Sequence, residues 1–216
     1  MKLFLDSIDL EIINDLYQVG LLSGVTTNPT LAKRFNMKDD IEMVHKIREA
    51  MPNGEIHVEA FGNNAIEIEK NAIRIAENTK DSNVVFKIPF SKSGLKSVTN
   101  LRKLGYRTNL HLVFSLNQAF LSSSVGSDYI CPLLGRLDDA GHDAISNLIE
   151  MINAYKKYNL ETKIMASSIR NPLHVIQAFK AGVDVVTVPS LIIEQMFNHP
   201  LTSNGYELFK KDLEEI

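Results

Sequence analysis

An α/β chain closed into one (β/α)8 barrel is the fold the sequence predicts, and three observations predict it. Short β-branched or apolar runs alternate along the chain with longer segments of helical period, the rhythm of repeated βα units and a parallel sheet. Eight such runs fit in 216 residues, a compact version of a barrel that typically takes about 250. No G-x-G-x-x-G or P-loop follows any of them, which removes the usual signatures of the competing doubly wound sheet.

The elements read in order. Lys2–Asp6 is the first strand, and Leu10, Ile13, Leu16 and Val19 follow at helical spacing and stop at Gly20. Gly24–Asn28 precedes the stripe Ile41, Val44, Ile47 and Met51; Ile56–Ala60 precedes Ile68, Ala72, Ile75 and Ala76; Val84–Pro89 precedes Leu95, Val98 and Leu101, ending at Gly105. After Thr108–Phe114, the run Ser115-Leu-Asn-Gln118 reads as a capping box. Tyr129–Leu134 leads to the stripe Ile145, Leu148, Ile149 and Ile152, and Lys163–Ser168 leads to Asn171-Pro172, an N-cap followed by proline at the first helical position. Val185–Pro189 is the eighth strand. Residues 1–216 make one domain, in which 202–216, with Leu208, Phe209 and Leu213, is a surplus C-terminal helix that covers the barrel or reaches a neighbouring subunit.

At 44% hydrophobic and 23% charged residues, the chain has apolar material for one sizeable core. A formal net charge of −3 gives no general attraction to nucleic acid or an anionic membrane, so any anion must be held by local groups. One cysteine, Cys131, and six histidines without cysteine partners give neither an internal disulfide nor a zinc spacing. Acids at Asp6, Asp9 and Glu11 come too early for a signal peptide, and no segment approaches a membrane span. A cytoplasmic protein without a metal is expected.

Lys87 interrupts the apolar run Val84-Val85-Phe86-Lys87-Ile88-Pro89. Burial penalises an ammonium ion and leaves a free amine able to attack a carbonyl carbon and form a Schiff base. The alternative is a lysine that snorkels its head to the strand end. Strand ends elsewhere are unusually polar: Asp6, then Thr26, Thr27 and Asn28, Glu59, Asn109 and His111, Arg136 after strand six, and Ser167, Ser168 and Arg170 at strand seven. Asp6, Thr27 or Asn28 alone reads as a turn or cap residue. So many together suit a barrel, whose chemistry sits at the C-terminal strand ends. Arg136, Arg170 and Ser168, close to a helix start at Asn171-Pro172, make a phosphate cradle, unless the arginines pair with Asp138 and Asp139 on the surface.

Taken together, Leu3–Asp6 with Gly24-Val-Thr-Thr-Asn-Pro-Thr30, Phe86-Lys-Ile-Pro89, Asn109-x-x-x-x-Phe-Ser115 with Gln118-Ala119, Gly135-Arg-Leu-Asp-Asp139, Ala166-Ser-Ser-x-Arg170 and His199-Pro-Leu-Thr202 resemble the small transaldolases over essentially the whole chain. The resemblance implies a TIM-type (β/α)8 barrel, a Schiff-base lysine at Lys87, no cofactor, and ring-shaped homo-oligomers, pentamers or decamers. It also implies Asp6 as general base, Glu59 as the acid that orients a water, Asn28 and Asn109 on substrate hydroxyls, and Arg136 and Arg170 on phosphate.

Three positions depart from the family pattern: His111 for threonine, Cys131 for serine or alanine, and Leu133 for an aromatic residue. His111 either relays protons with Glu59 or, with the strand register slipped by one, faces away into the core. Cys131 reads as a small packing residue. Glutamate at 59 and leucine rather than the aldolases' tyrosine at 133 favour transfer of dihydroxyacetone between sugar phosphates over its release, the reaction of the similar fructose-6-phosphate aldolases. The implied reaction is sedoheptulose 7-phosphate plus glyceraldehyde 3-phosphate giving erythrose 4-phosphate plus fructose 6-phosphate, in the pentose phosphate pathway. Two rivals are a metal-dependent aldolase using His57, Glu59 and His111, and a non-catalytic phosphosugar-binding protein.

Overall fold

A computed structural model describes residues 1–215. Eight strands, β1 (Lys2–Asp6), β2 (Gly24–Thr26), β3 (Glu55–Glu59), β4 (Val84–Pro89), β5 (Arg107–Val113), β6 (Tyr129–Pro132), β7 (Lys163–Ala166) and β8 (Val185–Val188), pair in parallel in chain order, and β8 closes on β1. The predicted barrel is the observed fold. The second, sixth and seventh strands end two residues earlier than predicted, because the chain leaves the sheet there: Asn28 caps a helix, Leu133 precedes one, and Ser168 adopts a left-handed φ of 57°.

Eleven helices accompany the strands among the described residues: α1 (Leu10–Gln18), α2 (Pro29–Arg34), α3 (Asp40–Ala50), α4 (Ala65–Thr79), α5 (Lys92–Lys103), α6 (Leu116–Ser124), α7 (Leu134–Asp139), α8 (Ala144–Lys157), α9 (Pro172–Ala181), α10 (Ser190–Phe197) and α11 (Pro200–Glu214). Side-chain caps start most of them. Asp9, Asn64, Ser91 and Asp143 each accept from a backbone N–H in the first turn, and Asn171 accepts from His174 N at 2.9 Å with Pro172 behind it. The capping box at Ser115 is modified. Ser115 Oγ accepts from Gln118 N, while Gln118 Oε1 reaches back one residue further, to Phe114 N at 2.7 Å.

Two apolar regions hold the barrel. The larger lies between strands and helices and includes Leu5, Ile13, Val25, Ile47, Ile56, Ile75, Ile88, Leu101, Leu110 and Leu148. The smaller, Phe4, Val85, Tyr129, Cys131, Met165 and Val185, fills the barrel interior below the strand ends. Helix α11, predicted to run to Ile216, which lies outside the described residues, buries none of its own side chains. Leu201, Tyr206, Phe209 and Leu213 on it are 68 to 73% exposed. No helix among the described residues is long and apolar enough to cross a membrane.

Candidate active site

Strand alternation gathers Asp6, Thr26, Glu59, Lys87, His111, Cys131, Ser167 and Thr187 around one cavity of about 520 Å³ at the C-terminal end of the barrel. Each comes from a different strand, or in Ser167 from the residue just after β7. A neighbouring cavity of about 670 Å³ opens off its β2–β3 side and shares Asn28, Pro29, Glu59 and Phe61 with it.

Lys87 is 6% exposed and donates from Nζ to the Thr27 carbonyl oxygen at 2.6 Å. No carboxylate among the described residues lies within ion-pair distance of it. It stays in the cavity wall and does not snorkel. Thr27 therefore meets the amine through its backbone. Its hydroxyl donates to the His57 carbonyl at 3.2 Å, and its side chain is buried.

Asp6 Oδ1 accepts from Thr26 Oγ1 at 2.8 Å and from Asn28 Nδ2 at 3.5 Å. Thr26 spends its proton on Asp6, so the 2.6 Å contact between Thr26 and Thr187 must be donated by Thr187. This relay fixes the Asp6 carboxylate from below. Asn28 serves twice, since its Oδ1 caps α2 by accepting from Leu31 N at 3.0 Å.

Glu59 and His111 face each other, with His111 Nε2 2.7 Å from Glu59 Oε1. The register puts the histidine in the site and not in the core. Burial lowers its basicity below the ordinary histidine value, with Lys87 and Arg136 acting in the same direction and Glu59 only partly opposing them. Near neutral pH it is an imidazole whose Nε2–H donates to the carboxylate. Glu59 Oε2 is buried without a partner among the described residues, an oxygen left for a ligand or water. After His111, Leu112 forms a bulge at φ 59°, so that His111 pairs with Cys131 and Val113 with Pro132.

Asn109 is fully buried beside Lys87, its register partner, and lies below the open cavity rather than on its wall. Its Nδ2 is 3.0 Å from His57 Nδ1, and its Oδ1 is buried without a hydrogen-bond partner among the described residues. His57 uses both nitrogens, since Nε2 is 3.2 Å from Glu55. It is thereby unavailable as a ligand beside Glu59, and no group of three metal-ligating side chains occurs among the described residues.

Arg136 on α7 and Arg170 after β7 both line the cavity with Ser168. Their situations differ. Arg170 pairs with Asp139 at 2.8 Å, as the surface alternative anticipated, whereas Asp138 binds His174, and Arg136 has no ion pair or hydrogen bond among the described residues. Gly135, at the start of α7, ties that helix to the segment after β7, with its N–H 3.0 Å from the Ser168 carbonyl, where an added Cβ would collide. Cys131 lies on the cavity floor, and burial pushes its thiol up, so it is an inert packing residue. Leu133 also lines the cavity.

The polar strand ends read from the sequence bring Asp6, Glu59, Lys87, Arg136 and Arg170 to one cavity. That reading passed over Thr187, the part of Thr26 as donor to Asp6, and the contact between Asn109 and His57. The signal for these was strand alternation: Thr26 shares the inner face with Gly24, and His57 with Glu59.

The chain matches the family described as Transaldolase/Fructose-6-phosphate aldolase over residues 3–216. A protein of Methanococcus maripaludis named "Probable transaldolase" is 40% identical, over 99% of this chain and 98% of that one. Proteins of the same name from Dehalococcoides mccartyi and Caldicellulosiruptor saccharolyticus are 39% and 41% identical, each over 100% of this chain. Thiamine phosphate pyrophosphorylase from Pyrococcus furiosus shares the fold, with a TM-score of 0.58 at 14% identity over 88% of this chain and 85% of that one.

Proposed function

The chain belongs to the transaldolase/fructose-6-phosphate aldolase family, and from that premise we propose that it moves a dihydroxyacetone unit between sugar phosphates through a Schiff base on Lys87. It is an enzyme of transaldolase type. The observation that carries the proposed chemistry is Lys87, enclosed at 6% exposure with a carbonyl as its hydrogen-bond partner and opening on a cavity that also holds two carboxylates.

In this reading the Lys87 amine adds to C2 of a ketose phosphate, and the carbinolamine loses water to give a protonated imine. Asp6, oriented by Thr26 and Thr187, takes the proton of the C4 hydroxyl. The C3–C4 bond breaks, its electrons pass to the imine to make an enamine, and an aldose phosphate leaves. The enamine carbon then attacks the carbonyl of a second aldose, and Asp6 returns the proton. Glu59 Oε2 holds the water that leaves and re-enters at C2, while His111 fixes the other oxygen. Asn28 and Asn109 bind hydroxyls of the three-carbon unit, and Arg136, Arg170 and Ser168 hold the phosphate.

Glutamate at 59 and the absence of a tyrosine at position 133 support transfer over release, and the preferred substrates are sedoheptulose 7-phosphate and glyceraldehyde 3-phosphate, within a cytoplasmic pentose phosphate pathway. A coupled assay on fructose 6-phosphate tests this directly. Product formed only when erythrose 4-phosphate is supplied is the expected result; product without an acceptor means an aldolase, and binding without turnover means a phosphosugar-binding protein. The exposed apolar side chains of α11 support assembly into a homo-oligomer, a pentamer or decamer.

A further inference from the structure

Two buried side-chain atoms in the described residues lack a partner, Glu59 Oε2 and Asn109 Oδ1. The second sits on a chain of constraints that begins at the other end of the barrel. Glu55 accepts from Tyr129 Oη at 2.8 Å and from Arg107 at 3.0 Å. Burial by itself raises Glu55, but the hydrogen bonds from His57 and Tyr129 and the Arg107 charge outweigh it and bring it to about 2. It is an anion that only accepts, so His57 Nε2 must carry the proton. Burial keeps the ring neutral, at about 4, against the opposing pull of Glu55. A neutral imidazole protonated at Nε2 has a lone pair at Nδ1, and the Asn109 atom 3.0 Å away must then be the donating NH2. The amide has no freedom left: its carbonyl oxygen is turned away from His57.

Phe4 and Tyr129 pack edge-on against the His57 ring, with centroids 5.3 and 5.0 Å away, which holds its plane. Asn109 is paired in register with Lys87 on the adjacent strand. We infer that His57 is a positioning residue that locks the Asn109 amide with its carbonyl toward Lys87, so that Oδ1 accepts a hydroxyl of the three-carbon unit once that unit is bound covalently. The inference rests on the proposed role of Asn109 and adds what sets its orientation. Because Asn109 lies below the open cavity, the contact belongs to the lysine-bound unit rather than to free ketose, and its loss falls mainly on kcat.

The test is a comparison of His57→Leu, His57→Asn and Asn109→Ala by steady-state kinetics on fructose 6-phosphate and erythrose 4-phosphate. Asparagine at 57 keeps an acceptor where Nδ1 was but gives up the bond to Glu55. The expected result is a loss of about tenfold in kcat for His57→Leu with little change in KM, the scale of one hydrogen bond made in the intermediate. His57→Asn should stay within about twofold of the native enzyme despite a lower melting temperature, so that kinetics follow the acceptor and not stability. In the double variant His57→Leu with Asn109→Ala, the losses should not add. Native-like kinetics in His57→Leu, or equal losses in the leucine and asparagine variants, overturn the inference. An Asn109→Ala enzyme with native kinetics overturns the prior reading of Asn109, a separate result. Should His57→Leu not fold, a crystal structure of the borohydride-trapped native enzyme decides: Asn109 Oδ1 at about 3 Å from an adduct hydroxyl supports the inference, and an amide turned the other way ends it.

Discussion

Arg136 and Arg170 reach the same cavity but do not carry equal weight. Arg170 is already committed to Asp139 and is 53% exposed, whereas Arg136 has no competing acid among the described residues. Arg136→Ala should therefore raise KM for fructose 6-phosphate by about 10- to 100-fold, the worth of a charge-assisted hydrogen bond, with a smaller effect from Arg170→Ala. Similar KM values for the two variants would show that the Asp139 pair opens on binding. Glu59 makes a different prediction, since its work lies in forming and collapsing the carbinolamine. Glu59→Gln keeps the shape and loses the base, so kcat should fall by about 100-fold or more while donor binding holds. Burst experiments that trap the imine at the native rate in this variant would contradict that role.

At the scale of elements, capping chemistry and strand alternation were the legible part. Asn171-Pro172 opened a helix as read, and Ser115 with Gln118 did so with the back-bond moved to Phe114. Helices α2, α7 and α10 left no readable pattern, because they run six, six and eight residues, too few turns to show an apolar stripe. The Leu112 bulge was equally hidden, as nothing in Leu-His-Leu-Val marks a positive φ. Candidate site residues were legible where a polar group stood against an apolar background, as at Lys87, and illegible where the partner lay on a distant strand, as with His57 and Asn109, 52 positions apart. Gly135 shows how tightly two elements meet. Gly135→Ala drives a methyl group into the Ser168 carbonyl and the Arg170 side chain, so α7 and the segment after β7 must part, at a cost of about 1–3 kcal/mol. Thermal unfolding should show the loss, together with a raised KM for the phosphorylated donor; an unchanged enzyme would mean that the two are not rigidly joined.

Across the whole molecule, the barrel encloses charge at its lower end as well as chemistry at its upper end, and this sets an acid limit. An unfolded chain protonates His57 near 6.5, but the folded chain resists until about 4, so the unfolded state binds more protons in that window and stability falls as pH drops through it. Glu55 acts in the same direction from 4.5 down to about 2, where the folded state keeps the anion that the unfolded chain has protonated. Each shift is on the order of 3 kcal/mol. Urea midpoints should decline from pH 7 to pH 3, and His57→Asn should flatten the upper part of that decline; a flat profile in the native protein would mean that the buried network is not ionised as described. Helix α11, which buries none of its residues, should also govern assembly, and removing residues 200–216 should lower the mass seen in sedimentation. A truncated chain of unchanged mass would place the subunit contact elsewhere. A Schiff base on Lys87 is what the whole mechanism needs, and borohydride reduction during turnover of fructose 6-phosphate, followed by peptide mass mapping, detects it. A permanent mass increment is expected on the peptide carrying residue 87, absent in Lys87→Met; no adduct, or one that survives that substitution, rules out catalysis through this lysine.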